Sequence, residues 1–369
     1  MSSPSRARRA RIGVALVVLG LALTAVVFAV ASSYWFKNPA LPSEGLPPPP
    51  RVSSLPSHCS TTVSEPGQAG TAVNRAQPGD VVCFTGGRLT DLTVEMTTSG
   101  IAGKPISLVG GGTTMRTIKI TANYVEVDGF TLTDGEGLKL EGNGLAARDN
   151  VVRNATDDGI ACRNCGDAIL ESNTVWRADG TGIVIEGDHG LVRGNTVSES
   201  VMRTKGDADG IRFFGSGLRL IGNTIKNITA TGYPEGQGPH TDCFQTYDTR
   251  GSRTIKDVVI ADNLCQNVDV HCLIATSNDR ATVPKGLTTI LFEHNKCAVN
   301  GAQGVLLEGF PNVVVRDNTF SGPQYRAVLV SKGSIDATVV DNTVIGNIPP
   351  FDIDDESRPG FHAEGNTSR

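Results

Sequence analysis

The stretch "LVRGNTV" at residues 191–197 is one copy of a short phrase that recurs along this chain of 369 residues. Near-identical phrases surround an asparagine at almost regular intervals. A period of this kind predicts a solenoid, in which each repeat buries its apolar side against its neighbours, rather than several globular domains. The marker asparagines are Asn150, Asn173, Asn195, Asn223, Asn263, Asn295, Asn318 and Asn342.

A second apolar phrase lies ten residues after most markers, as at Ile183 after Asn173. Another 12 to 14 residues lead to the next marker, so the minimal period is 22–24 residues. Each unit holds two or three short strands, and parallel stacking about 4.8 Å apart would bury their Val, Ile and Leu side chains. We therefore predict an all-β fold, a right-handed single-stranded parallel β-helix of about ten coils. The asparagines are expected to occupy a left-handed bend and to bond along the stack through their amides.

The start of the repeat region resembles a known group. The stretches "AQPGDVVCF" (76–84), "SGIAGKPISLVG" (99–110) and "VEVDGFTL" (125–132) are similar to the opening coils of the right-handed parallel β-helix superfamily. That superfamily includes pectate lyases, alginate and chondroitin lyases, and exported β-helix repeat proteins. The resemblance implies the fold, with a short amphipathic cap helix before Pro78. It leaves the activity open, because lyases, hydrolases and proteins without catalysis share this architecture.

The N-terminal residues predict an export or anchoring segment. A basic tail, residues 1–11, precedes an apolar run of twenty residues, 12–31. As a helix this run would span about 30 Å. We expect a single-pass transmembrane signal-anchor with a cytoplasmic N-terminus, a Pro-rich extracellular spacer (32–58) and a β-helix domain (59–369) on the extracellular side. The alternative is a signal peptide cleaved after Ala31, which would make the protein secreted. The net charge of −5 indicates no nucleic-acid partner, and we expect a monomer.

The strands ten residues after the markers align into rows such as "TGIVIEG" (181–187), "DGIRFFG" (209–215) and "DCFQTYD" (242–248). Their third and fifth letters are apolar in nearly every row and point inward, so the fourth and sixth point outward. Four long insertions flank this strand column in consecutive coils, and insertions on one face usually build a binding surface. We predict a central groove between "VMRTKGDAD" (201–209) with residues 229–242 on one side and residues 249–257 with 278–286 on the other.

The groove supplies the candidate site residues. His240, Asp242 and Gln245 match a phrase, His-x-Asp-x-x-Gln, that recurs in the exported β-helix proteins this chain resembles. Asp158 shares its register position with Asp209, Asp242 and His271, where aspartate also caps turns; for Asp158 we favour that structural role. The predicted catalytic residues are His240, Asp242, Gln245, Arg212 and Asp209, and the predicted substrate-binding residues are Tyr247, Phe214, Lys205, Arg163, Glu186 and His271.

These residue types suit chemistry on sugars. A lyase must neutralise a uronate carboxylate and remove the C5 proton, with Arg or Lys as base in this superfamily and sometimes Ca²⁺. An inverting hydrolase needs two carboxyls about 6.5–9.5 Å apart, which Asp209 and Asp242 could supply if both turn outward. We predict a polysaccharide partner and a lyase or hydrolase activity. We assign no metal-ligand residues, and Ca²⁺ is the one cofactor that the resemblance allows. The alternative is a non-catalytic module that binds glycan or another envelope component.

Eight cysteines in an exported chain indicate disulfides. Cys243 and Cys272 share one register position, and Cys265 and Cys297 both lie two residues after a marker. Stacked neighbours lie about 4.8 Å apart, within reach of a disulfide. We therefore predict Cys243–Cys272 and Cys265–Cys297, and by elimination the pairs Cys59–Cys83 and Cys162–Cys165.

Overall fold

The computed structural model describes residues 55–86, 89–204, 206–248, 253–277 and 287–369. The predicted tail, membrane anchor and most of the spacer lie outside these residues, and so does Lys205. Among the residues described, no helix has the length and apolar character needed to cross a membrane.

The described chain is a right-handed parallel β-helix, as the period predicts. Three parallel ladders run along it, here called sheets 1, 2 and 3, and nearly every coil contributes one short strand to each. Sheet 1 precedes each marker asparagine, sheet 2 follows it directly, and sheet 3 comes next. Neighbouring coils pair residue for residue, for example Ile211 with Phe244 and Phe244 with Leu273.

The strands follow the period along most of the chain. Sheet 1 consists of Thr61–Val63, Val81–Phe84, Ile106–Val109, Val125–Asp128, Ala146–Arg148, Ile169–Glu171, Leu191–Arg193, Arg219–Ile221, Val258–Ala261, Ile290–Glu293, Val313–Arg316, Thr338–Val340 and His362–Glu364. Sheet 2 contains Val151–Arg153, Thr174–Trp176, Thr196–Ser198, Thr224–Ile228, Leu264–Val268, Lys296–Val299, Thr319–Ser321, Thr343–Ile345 and Thr367–Ser368. Sheet 3 contains Thr93–Met96, Ile160–Gly166, Ile183–Asp188, Ile211–Phe214, Asp242–Asp248, His271–Ser277, Gln303–Glu308, Arg326–Ser331 and Phe351–Ile353. Two longer strands, Thr114–Thr121 and Thr131–Asn143, run through sheets 2 and 3.

A short helix, Pro66–Arg75, lies at the N-terminal end and packs against the strands Thr61–Val63 and Thr93–Met96. Proline suits its first turn, and the Gln68 side chain accepts a hydrogen bond from the Glu65 backbone N–H at 3.0 Å. Its buried face carries Ala69 and Val73. The predicted cap helix is thus confirmed. A single 3₁₀ turn, Asp355–Ser357, follows the last strand of sheet 3.

The interior is a column of inward-facing apolar side chains. Phe213, Phe244 and Leu273 are fully buried, as the alternation within the rows predicts. Burial of such side chains stabilises by about 1.5–3 kcal/mol each relative to exposure. Because no single coil has a core of its own, this stabilisation exists only between stacked coils.

The marker asparagines form a second buried column, the asparagine ladder, which runs from Asn150 to Asn366. At Asn195, the Oδ1 accepts hydrogen bonds from the backbone N–H and the Nδ2 of Asn173, at 2.9 and 3.0 Å. Its own Nδ2 donates to Asn223 Oδ1 at 3.0 Å and to the Leu170 carbonyl at 2.8 Å. The predicted amide stacking is confirmed. The left-handed bend, however, falls on the residue before each marker, such as Asp149 (φ 52°) or Asp262 (φ 58°), and not on the asparagine.

Two of the predicted disulfides are confirmed and two are wrong. Cys59–Cys83 and Cys162–Cys165 form, but the other bridges are Cys243–Cys265 and Cys272–Cys297, with Cα–Cα distances of 6.1 and 5.8 Å. The register itself is right, since Cys265 pairs with Cys297 in sheet 2. Side chains in one ladder leave the backbone in parallel directions and do not converge, whereas side chains of sheet 3 in one coil and sheet 2 in the next coil both point into the interior. The Cys243–Cys265 and Cys272–Cys297 bridges therefore each join sheet 3 of one coil to sheet 2 of the next.

Candidate functional site

The first residues of consecutive sheet 3 strands, together with the residues just before them, form a polar column at the corner where the chain enters sheet 3. We call it the corner column. All its members are buried, although several are ionisable. Parallel pairing stacks them, as the register of Asp242 with His271 illustrates. Its members are Asp158, Thr181, Asp209, Asp242, His271 and Gln303.

Asp242 is the centre of a hydrogen-bonded group in this column. Its side chain is 0% exposed, and its two oxygens lie 2.8 Å from the Nδ1 atoms of His240 (Oδ2) and His271 (Oδ1). Gln245 Nε2 donates to Oδ2 at 3.3 Å. Burial alone would raise the pKa of the Asp242 carboxyl, but the hydrogen bonds from both histidines outweigh it and lower that pKa. Asp242 is therefore held as a carboxylate inside the wall.

His240 is the solvent-facing end of the group. Its side chain is 41% exposed, while that of His271 is 5% exposed. The hydrogen bond to Asp242 raises the pKa of His240 to about 9, against the opposing effect of burial. At neutral pH His240 thus presents a protonated imidazole edge to the outer face of the coil.

A second group lies on the preceding coil. Arg212 donates to Asp207 Oδ2 at 2.9 Å and closely contacts Asp209 Oδ2, while Asp209 Oδ1 accepts the Asp242 backbone N–H at 3.1 Å. Burial, and then the Asp242 charge, raise the pKa of Asp209 to about 8. Burial works to lower the pKa of Arg212, but the contacts with Asp209 outweigh it and raise that pKa. Arg212 is therefore unsuited to the role of base that the resemblance implied.

Aromatic side chains adjoin these two groups on the outer face of sheet 3. The Phe214 and Tyr247 rings meet edge to face, with centroids 4.9 Å apart, and the Arg212 guanidinium carbon lies 5.9 Å from the Tyr247 ring centroid. Phe214 is buried, and Tyr247 is partly exposed. The Oε1 atom of Gln245 is buried and has no hydrogen-bond partner among the described residues. Because Phe214 is buried, Tyr247 is the aromatic ring of this pair that a ligand can reach.

The structure brings most of the predicted site residues together, and we call this set the central site. It comprises His240, Asp242, Gln245, His271, Asp209, Arg212, Phe214 and Tyr247, together with Asp207.

Two predicted substrate-binding residues belong to an ion-pair network beside the central site. Arg163 bonds Asp158 at 2.8 Å and lies 3.8 Å from Glu186, which is also 3.8 Å from Arg253. Glu186 pairs with Phe214 of the central site across adjacent strands. Lys205 lies outside the described residues.

Two predicted roles do not fit the observed orientations. Asp209 and Asp242 both have side chains that are 0% exposed, so they do not form the outward-facing carboxyl pair of an inverting hydrolase. His271 is buried and bonded to Asp242 and Gln303, so it supports the site instead of lining it. The corner turns these side chains towards the neighbouring coils, and a period alone does not determine that direction.

Sequence reasoning missed Asp207 and Gln303. The stretch Asp207-x-Asp209-x-x-Arg212 lines up with the His-x-Asp-x-x-Gln phrase of the next coil, and Asp207 pairs with His240 in an isolated parallel bridge. Extending each row two residues towards the N-terminus would have revealed this. Gln303 is the first letter of its own row, at the register position of His271.

The donor set of the central site does not fit the Ca²⁺ that the fold resemblance allowed. His240, Asp242 and His271 have ligand atoms within 4.8 Å of one another, and among the residues with assigned positions they are the one such group. Calcium prefers oxygen ligands, whereas nitrogen donors suit transition metals. Both Asp242 oxygens and both His271 nitrogens already take part in hydrogen bonds. The chemistry this group offers is proton transfer through His240.

Comparisons with known proteins agree with the fold. Residues 91–241 match the family described as a right-handed β-helix region, and no curated protein matches the chain. The match covers less than half of the chain, and together with the observed fold it confirms the resemblance to right-handed parallel β-helix proteins.

Similar solved structures include three glycan-active enzymes. The catalytic unit of a GH87 α-1,3-glucanase from Streptomyces thermodiastaticus is 12% identical, with a TM-score of 0.55 over 86% of this chain and 70% of that one. The GH136 lacto-N-biosidase from Eubacterium ramulus is 12% identical, with a TM-score of 0.53 over 81% and 64%. An alginate lyase from Paenibacillus is 15% identical, with a TM-score of 0.45 over 83% and 98%. At these identities the likeness shows the fold alone.

Proposed function

We propose that the protein cleaves a polysaccharide at the central site. The observation that carries the proposal is one partly exposed histidine, His240, bonded through Nδ1 to the fully buried Asp242 carboxylate. Such an arrangement fixes the imidazole and leaves its outer edge free for a proton transfer. The glucanase and lacto-N-biosidase of similar fold act on glycans, which supports the substrate class.

The proposed proton donor is His240. Because Asp242 raises the pKa of His240 to about 9, the imidazole carries a proton at neutral pH and can give it to the glycosidic oxygen that leaves. Asp207, whose side chain is 40% exposed, pairs with His240 across adjacent coils and is the proposed proton acceptor. Arg212 contacts Asp207 and keeps that carboxylate in place.

The geometry favours β-elimination on a uronic acid residue. In that reaction Asp207 takes the C5 proton, a C4–C5 double bond forms as the C4–O bond breaks, and His240 protonates the departing oxygen. The cationic His240 and Arg212 supply positive charge for the uronate carboxylate. Hydrolysis through two exposed carboxyls is disfavoured, because Asp209 and Asp242 are both buried.

We also propose that the protein works outside the cell, anchored through residues 12–31. The apolar length of that segment and the basic residues before it support this location. The four disulfides are in agreement, since such bonds persist in oxidising compartments.

The test is a screen of the full-length protein on uronate and neutral polysaccharides. Ultraviolet absorbance detects the unsaturated product of elimination, and a reducing-end assay detects any cleavage. We expect both signals on a uronate polymer, and a loss of about 100-fold or more in His240→Ala. The control is His189→Ala, which removes another exposed histidine near an aspartate, 3.7 Å from Asp167, and should leave the rate unchanged.

Each other outcome has a defined meaning. Reducing ends without the unsaturated product would replace elimination with hydrolysis. Binding without turnover across the panel would show a non-catalytic glycan-binding module. Equal rates in the two histidine variants would remove His240 from the chemistry.

A further inference from the structure

A hydrogen bond on the buried side of the central site connects it to the following coil. Gln303 Nε2 lies 3.0 Å from His271 Nε2, and His271 Nδ1 lies 2.8 Å from Asp242 Oδ1. Gln303 and His271 are both buried. A chain of contacts therefore runs from Gln303 through His271 and Asp242 to the exposed His240.

The direction of these hydrogen bonds determines the protonation of His271. A primary amide nitrogen only donates, so the Nε2 atom of His271 must accept and carry no proton. The proton then sits on Nδ1 and points at Asp242, which gives the neutral Nδ1–H tautomer. A neutral His271 donates a hydrogen bond to Asp242 but does not neutralise its negative charge.

That state matters for the rest of the site. A doubly protonated His271 would place a positive charge next to Asp242. The low dielectric constant of the protein interior would make the attraction between these two charges strong. Asp242 would then interact less with His240. The other titratable groups that face His240 are Asp209 and Asp207, with Arg212 bonded to both. The Nε2 side of His271 contacts Gln303.

We infer that Gln303 and His271 are positioning residues, which keep the full charge of Asp242 available to His240 from inside the wall of the β-helix. The catalytic consequence rests on the proposed function, but the protonation pattern is independent of any substrate. The inference adds to the central site a residue, Gln303, that lies two coils from His240 and three coils from Asp207, the groups proposed to act in proton transfer.

Nuclear magnetic resonance of the full-length protein, labelled with ¹⁵N at its six histidines, tests the tautomer directly. His271→Gln identifies the His271 signals and His240→Ala those of His240. The expected wild-type pattern is a neutral His271 protonated at Nδ1. A His271 protonated at Nε2 at neutral pH would overturn the inference, whether or not any polysaccharide is cleaved.

The substitution Gln303→Glu tests the coupling. A carboxylate at this position favours a proton on His271 Nε2, so the titration midpoint of His240 should fall by about one pH unit, a tenfold change in its proton affinity. Gln303→Met removes the amide donor at Nε2, so His271 should keep the Nδ1 proton that Asp242 accepts but should take up a second proton on Nε2 at a higher pH than in the wild type. The matched control is Gln324→Glu, since Gln324 is exposed and bonds the Asn300 carbonyl at 2.9 Å; the midpoint should not move.

An unchanged His240 midpoint in a folded Gln303→Glu variant would refute the coupling. If that variant does not fold, the Gln303→Met spectrum decides, because an Nε2 protonation of His271 that follows pH as in the wild type would show that Gln303 does not control His271. In neither case does the result depend on polysaccharide cleavage, so failure of the inference and failure of the proposed function remain distinguishable.

Discussion

The asparagine ladder and the corner column are two buried stacks of polar side chains, but they obey different rules. In the ladder every coil uses the same residue, and each amide bonds its neighbours in the same way, from Asn150 to Asn366. In the corner column the residue changes from coil to coil, and four of its members are ionisable: Asp158, Asp209, Asp242 and His271. A uniform column only has to satisfy the backbone at a bend. A column whose chemistry varies in the central coils indicates a site.

The corner column also contains an aspartate with a purely structural role, which serves for comparison. Asp158, at its N-terminal end, accepts the Thr181 backbone N–H at 2.9 Å and pairs with Arg163 at 2.8 Å. Asp209 makes the same type of contact with the Asp242 backbone N–H. Capping the corner is thus the shared structural role of aspartate, and the histidines around Asp242 are the addition.

The largest effect is expected in the ladder. Asn223→Leu removes the acceptor for two Asn195 donors and leaves the Val192 carbonyl and Asn263 Oδ1 with fewer partners. At 1–3 kcal/mol for each unsatisfied buried group, the free energy of unfolding should fall by about 4 kcal/mol. Urea denaturation followed by circular dichroism measures this.

Asn300→Leu is the control for the ladder, because Asn300 is exposed and its amide bonds Asp269 at 3.0 Å. It should lower the free energy of unfolding by less than about 1 kcal/mol. Equal losses in the two variants would mean that the ladder contributes no special stability.

Removing one of two disulfides distinguishes an effect on stability from an effect on the geometry of the site. Cys243–Cys265 and Cys59–Cys83 close loops of similar length, with sequence separations of 22 and 24 residues. Replacing either pair with serine should therefore lower stability by a similar amount, about 3 kcal/mol. Only the first pair adjoins Asp242, so only its loss should slow cleavage at temperatures where both variants are folded. A matching loss of rate in the Cys59/Cys83 variant would contradict this.

The Asp242–His240 pair should make both stability and cleavage depend on pH. Since Asp242 raises the pKa of His240 to about 9, the stability from this pair is fully present below the unfolded pKa of about 6.5 and is lost as pH rises through about 9. The cleavage rate should also fall through about pH 9 as the proposed donor loses its proton. Asp242→Asn should move that fall in rate to lower pH, and a pH–rate profile measures it. A profile that does not shift would mean that Asp242 does not control the protonation of His240 during cleavage.

The smallest effect is expected at the N-terminal end of the corner column. Arg163→Gln removes a half-exposed partner of Asp158, and such pairs contribute about 0–1 kcal/mol. Stability should change by less than 1 kcal/mol and the cleavage rate should not change. A loss of rate comparable to that of His240→Ala would extend the site to Arg163.

The period of the sequence determined the fold. The spacing of Asn173, Asn195 and Asn223 fixed where coils repeat, and alternation within each row fixed which residues face inward. Position along a stack follows from residue count alone, because parallel neighbours pair residue for residue. For this reason the register of Cys265 with Cys297, and the gathering of His240 and Asp242 near Arg212, were predictable.

The directions in which side chains turn at the corners are visible in the structure alone. The structure places the left-handed bend on Asp149 and Asp262 instead of the asparagines, joins Cys243 in one coil to Cys265 in the next, and turns Asp209 and Asp242 away from solvent. It also brings Gln303 to His271. Residue spacing sets the height of a side chain in the stack, but its direction at a corner depends on how two sheets converge in space, and no periodic pattern encodes that angle.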